Sequence, residues 1–153
     1  MLKDKNDFTK QDVAEMLYDV TSSADHIIAR DLLQSVDKND LSPSEKQAYE
    51  ILQNWEGAYL KSSLAPTIYN RFLFEFLQNT YKDELGEAFD LFINSQLQDQ
   101  VLRTQIDRKK SVWWDDISTE NIVETKAEIV LKSYKNAIAF LQNQLGANIE
   151  SWT

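Results

Sequence analysis

The sequence predicts an all-α fold, a single helical domain of about five to seven helices. Three observations predict it. Apolar residues recur at helical spacing along most of the chain. Only two prolines and three glycines interrupt 153 residues, which favours long helices over a sheet-rich fold. Helix-start signals stand between the apolar runs, and no segment shows the alternation of a strand.

Thr9-Lys10-Gln11-Asp12 reads as the first start. The Thr9 hydroxyl can accept from an orphan backbone N–H, and Asp12 suits the positive end of the helix dipole. Val13, Met16 and Leu17 supply an apolar face. A second helix is expected from about Ser23 to Val36, with Ile27, Ile28, Leu32 and Val36 on neighbouring turns. After the polar turn Asp37–Asp40 comes the strongest local signal, Ser42-Pro43-Ser44-Glu45. Ser42 is a good N-cap, Pro43 lacks only an N–H that would be orphaned anyway, and Glu45 completes a capping box. Ala48, Ile51, Leu52 and Trp55 form the stripe of that helix, and Gly57 offers a left-handed cap.

Residues 58–65 read as a connection, and Pro66 opens the next helix through Ile68, Tyr69, Phe72, Leu73, Phe76 and Leu77. Asp83-Glu84 is expected to start another, through Leu85, Ala88, Phe89 and Phe92. Segment 94–112 allows a helix but lacks caps. Ser118-Thr119-Glu120 is expected to cap the longest helix, roughly 120–145, which Gly146 ends.

A net charge of −9 argues against nucleic acid, whose backbone is bound through clustered Lys and Arg. Arg108-Lys109-Lys110 is the only basic run and reads as a solvated loop. No stretch approaches the ~20 apolar residues of a membrane span, and the segment from Met1 to Asp7 has no signal-peptide core. Zero cysteines exclude disulfides.

Glu120, Glu124 and Glu128 fall at i, i+4 and i+8, which reads as one solvated helical face rather than a metal site; Asp12, Glu15 and Asp19 read likewise. His26 is the only histidine, and its neighbour Asp25 points elsewhere on a helix. Ser62 and Ser63 lack flanking elbow glycines. No cofactor, metal or catalytic site is assigned. Trp113-Trp114-Asp115-Asp116 suits an aromatic ligand platform or, more simply, a hydrophobic anchor with the aspartates near the next helix start. Trp55 reads as a core residue.

The ordered set of marks resembles part of the β chain of penicillin amidases, the N-terminal-nucleophile hydrolases that include acylhomoserine lactone acylases. Phe8 to Asp12 leads to Tyr18-Asp19, and Ala29 to Leu33 precedes a variable turn. Leu52-Gln53-Asn54-Trp55-Glu56-Gly57 resembles the family's Leu-x-x-Trp-Asp-Gly, with Glu56 a mild departure. Pro66-Thr67-Ile68-Tyr69 and Phe72 follow. Trp113, Trp114, Asp115 and Asp116, then Thr119, resemble its Trp-x-Asp loop. Leu141 to Gly146 and Trp152 resemble its closing marks.

The resemblance covers nearly the whole chain. It implies an excised helical lobe of a larger α/β enzyme, bacterial periplasmic or secreted, that hydrolyses linear amides. The family's N-terminal nucleophile and oxyanion hole have no counterpart in this stretch, which begins at Met1. The expected partners are the catalytic sheet and the α chain of that parent, with self-association of the isolated lobe through the surface they leave bare. The competing reading is a free-standing helical module that binds a protein partner through an apolar groove. The encoding gene, upstream of Leu2 and downstream of Thr153, discriminates between them.

Overall fold

A computed structural model describes residues 7–152. Met1 to Asn6, most of the segment read for a signal peptide, lie outside the described residues, as does Thr153. The helices are α1 (Lys10–Leu17), α2 (Asp25–Leu33), α3 (Pro43–Gln53), α4 (Ala65–Leu85), α5 (Phe89–Ile93), α6 (Leu97–Gln105) and α7 (Lys126–Leu145). Among the described residues there is no strand, only one isolated bridge between Thr21 and Ala58. The all-α expectation holds.

The caps explain the helix starts. Thr9 and Asp12 form a capping box at α1, and Ser42 and Glu45 form another at α3, with Pro43 in the first turn. Each box satisfies two backbone N–H groups that the helix itself leaves orphaned. Pro66 stands in the first turn of α4, and Gly146 ends α7 as expected.

The centre is the antiparallel pair α4 and α7. Phe72 meets Tyr134 edge-on at 5.2 Å, and Asn79 Nδ2 donates to Ser133 Oγ at 3.0 Å. At the other end of the contact, the Arg71 guanidinium lies 3.4 Å from the Phe140 ring centre while pairing with Glu75. Helix α3 crosses this pair. Tyr134 Oη donates to the Glu45 carbonyl at 2.7 Å, and Gln142 Nε2 to Ser44 Oγ at 3.0 Å. Helix α2 leans on α3 through Tyr49, whose hydroxyl donates to the Leu33 carbonyl.

Leu32, Leu52, Ile68, Phe72, Ile129, Tyr134, Ile138 and Trp152 lie in the main core. A second cluster forms at the far end of α4, where Leu77, Tyr81 and Phe89 are packed by Phe92, Val101 and Trp113.

Several expectations need correction. Helix α2 is shorter than Ser23–Val36, because Ser22 Oγ accepts from the Asp25 N–H and fixes the start there. Asp83-Glu84 does not begin a helix. The apolar stripe of α4 carries it through to Leu85, and the break falls at Gly86, whose φ of +53° favours glycine. Gly57 does not cap α3; Asn54 does, and Gly57 turns the chain three residues later.

The last helix starts at Lys126, not near Glu120, so α4 with 21 residues is longer than α7 with 20. Its N-cap is Thr125, boxed with Glu128. Glu120 and Glu124 therefore lie outside the helix and share no helical face with Glu128. Glu124 instead accepts from the Asp116 N–H at 3.0 Å and the Thr119 hydroxyl at 3.0 Å.

Candidate functional site

The tryptophan motifs mark three junctions. At the first, Trp55 follows α3 and is 5% exposed. Its ring meets Tyr59 edge-on at 5.3 Å and Tyr69 at 5.1 Å. Its Nε1–H donates to the Ala58 carbonyl at 3.0 Å, and its own carbonyl accepts from Arg30 Nη2 at 3.1 Å. Gly57 follows at φ +88°, so close to the Ser22 carbonyl that a Cβ would overlap it. The Ser22 N–H donates to the Gly57 carbonyl at 2.9 Å, and the Tyr59 N–H to Val20 at 3.0 Å. Glu56 faces solvent.

Beneath this turn lies a carboxylate whose partners the sequence does not reveal. Asp25, at the first turn of α2, accepts from Tyr59 Oη at 2.7 Å and Tyr69 Oη at 3.3 Å. Burial, then the bond to Asp25, raises the Tyr59 phenol far above its ordinary value. Tyr59 and Tyr69 are 34 and 44 residues from Asp25, and no local pattern links them.

The second junction is Trp113-Trp114-Asp115-Asp116. A 3₁₀ turn, Val112–Trp114, is capped by Ser111. Trp114 is buried against Phe76 at 6.0 Å, within the main core, and its Nε1–H donates to the Arg108 carbonyl at 3.1 Å. Trp113 turns the other way, onto Tyr81 at 5.2 Å, in the second cluster. The two indoles are thus packed into different clusters on the two sides of the turn. The aspartates are not at a helix start. Asp116 bridges to Lys132 of α7 at 3.1 Å and accepts from the Ser118 N–H at 3.1 Å. The bonds from Ser118, and then Lys132, hold its carboxyl below the usual range. Asp115 is half-buried, and its Oδ1 is enclosed without a hydrogen-bond partner.

At the third junction, Trp152 is buried and its Nε1–H donates to the Gly146 carbonyl at 2.9 Å. It folds the last described residues back onto the end of α7.

Three concavities border the second junction, the most open being a shallow one of about 450 Å³ beside Asp115 and Val112; the other two are more closely tied to α4. One, of about 330 Å³, is walled by Tyr81, Phe92, Val101 and Trp113, with Arg108 at its rim. The other, of about 300 Å³, is polar and lies between α4 and the loop carrying Asp116 and Ser118. Asp83 Oδ2 accepts from the Ile117 N–H there at 2.8 Å. Next to it, burial and the adjoining Asp83 carboxylate push the Glu84 carboxyl up to about 7, although Glu84 keeps much of its surface open to solvent.

The candidate catalytic side chains are not brought together. His26 Nδ1 lies 3.2 Å from the Ser22 carbonyl, so this nitrogen donates to backbone rather than serving a hydroxyl. Ser62 and Ser63 lie in the turn before α4, and no hydrogen bond joins either hydroxyl to a base among the described residues. No group of His, Cys, Asp or Glu suited to a metal ion occurs among the described residues. Among them, no helix is long and apolar enough to cross a membrane.

Compared with known proteins, residues 1–153 match the family model described as Penicillin amidase. The chain belongs to the penicillin amidase family. As a relative, this penicillin amidase chain has acyl-homoserine lactone acylase QuiP of Pseudomonas aeruginosa, 27% identical over 113 residues. That alignment covers 70% of this chain and 13% of QuiP, so the chain spans a small part of its relative's length. No solved structure matches this penicillin amidase chain.

Proposed function

We propose that this domain is a non-catalytic helical lobe of a linear-amide hydrolase, which braces the part of the enzyme that carries the reaction. The parent activity is of the penicillin or acylhomoserine lactone acylase type. Amide hydrolysis of that kind needs an activated nucleophile and donors aimed at the developing oxyanion. In this reading the parent supplies both elsewhere in its polypeptide, as an N-terminal nucleophile and a separate oxyanion hole.

One observation carries the structural half of the reading. The indole N–H groups of Trp55, Trp114 and Trp152 all donate to backbone carbonyls a few residues away, at 2.9–3.1 Å. A ligand platform presents its polar handles to the ligand; these three are closed onto the chain itself, which suits a brace. Family membership and the acylase relative carry the chemical half.

The test is an assay of the purified chain with chromogenic phenylacetyl amides, acylhomoserine lactones and penicillins, beside protein-free buffer. No turnover above buffer is expected. Turnover that survives repurification and disappears in His26→Ala or Ser62→Ala would overturn the lobe reading.

A further inference from the structure

Helix α1 has a well-specified start but only light packing among the described residues. Thr9 and Asp12 close its capping box, and Phe8 and Val13 occupy the two positions of a hydrophobic staple. Yet no residue of α1 is buried. Leu17 is 78% exposed and Tyr18, which ends the helix, 82%. Eight residues fall short of the about 12–15 that an isolated helix needs to persist in water. A helix this short is held by packing of its apolar face, and among the described residues Val13 and Leu17 of that face stay exposed while Met16 is half-buried.

The apolar surface continues beyond the helix. The Tyr59 N–H donates to the Val20 carbonyl at 3.0 Å, and Thr21 bridges Ala58, so residues 20–21 are fastened beside residues 58–59. Val20 and the next residue along, Leu60, are both exposed. Phe8, Val13, Leu17, Tyr18 and Val20 are thus exposed apolar residues on and just beyond α1, a segment tied to the Trp55 turn through residues 58–59.

We propose that this surface is the seat of another segment of the same parent polypeptide, one presenting an apolar face. The inference rests on the lobe reading above. Two observations select this occupant. The chain spans 13% of its acylase relative, so most of such a polypeptide lies beyond it and would meet the surface as an intramolecular partner at high effective concentration. The charged residues along these segments are Asp7, Lys10, Asp12, Glu15 and Asp19, with Lys61 beside Leu60. A membrane-surface helix carries a Lys- and Arg-rich polar face, and this one is mainly acidic.

The test compares the 153-residue chain with the whole product of its gene by hydrogen exchange. Amides 13–18 of α1 should exchange about 100-fold more slowly in the whole product. Leu17→Lys should lower the Tm of the whole product and leave that of the isolated chain unchanged, with circular dichroism confirming that both fold. Equal exchange in the two proteins, with a silent Leu17→Lys, would overturn the inference and leave the lobe reading standing. A gene product that ends at Thr153 would sink both. Protection of α1 in the isolated chain that depends on protein concentration would assign the surface to a second copy, and protection by anionic vesicles to a lipid surface; either overturns the proposal.

Discussion

At the residue scale, the Trp55 turn combines packing with one unavoidable backbone geometry. Trp55 fills space between Tyr59 and Tyr69. Trp55→Ala should cost roughly 3–5 kcal/mol in denaturant melts, as large core aromatics do; a loss below about 1 kcal/mol would make the residue peripheral. Gly57 and Gly146 both have positive φ, +88° and +96°, but only Gly57 has a neighbour in the way. Gly146, at φ 96° and ψ 167°, lies in a region that is essentially glycine-only, so Gly146→Ala should cost about 1–3 kcal/mol of backbone strain. Gly57→Ala should cost clearly more, because the Cβ must displace the Ser22 carbonyl and with it the Ser22–Gly57 hydrogen bond. Chemical melts of the two variants side by side check the order; equal losses would mean that the loop yields freely. The burial of Trp55 was legible from its apolar spacing after Ala48, Ile51 and Leu52, although α3 ends at Gln53 and Trp55 lies beyond it rather than on its stripe. The convergence of Tyr59 and Tyr69 on Asp25 was not, since it follows from how α2, the turn and α4 meet.

At the element scale, starts were legible where a cap and its partner stand three residues apart, as at Thr9 and Asp12 or Ser42 and Glu45. The start of α7 went unseen because two cap-like stretches lie in tandem. Thr125-Lys126-Ala127-Glu128 has the full box, whereas Ser118 and Thr119 bond to Asp116 and Glu124 in the preceding loop. The box spacing at Thr125 was the signal that could have placed the helix. Thr125→Ala should cost about 1 kcal/mol, the ordinary value of an N-cap. Glu120→Ala should be near neutral, since Glu120 lies exposed outside the helix. Thermal melts of the pair distinguish the two starts; a larger loss at Glu120 would restore the earlier boundary. The end of α4 was misread for a related reason. Two acidic residues look like a first turn, but the preceding stripe was still unbroken and Gly86 was the nearest breaker.

At the scale of the whole molecule, α4 reaches from the main core to the second cluster, and the Trp113–Asp116 loop rejoins the two along its side. The acidic end of that junction sets a pH dependence. Glu84 is raised from 4.5 to about 7 in the fold, so between those values the folded state holds a proton that the unfolded chain has released. Its contribution is present in full below pH 4.5 and is lost as pH rises through 7. Denaturation midpoints should therefore fall between pH 5 and 8, and Glu84→Gln, neutral throughout, should flatten that slope and be the more stable at pH 8. An unchanged slope in the variant would remove Glu84 as its source. The loop itself has a mechanical consequence. Two neighbouring indoles are gripped in opposite directions, by Phe76 on one side and Tyr81 on the other. The loop cannot peel from one cluster while resting undisturbed on the other, so a load entering at either end is shared by both, and the dipeptide acts as a rivet through the lobe.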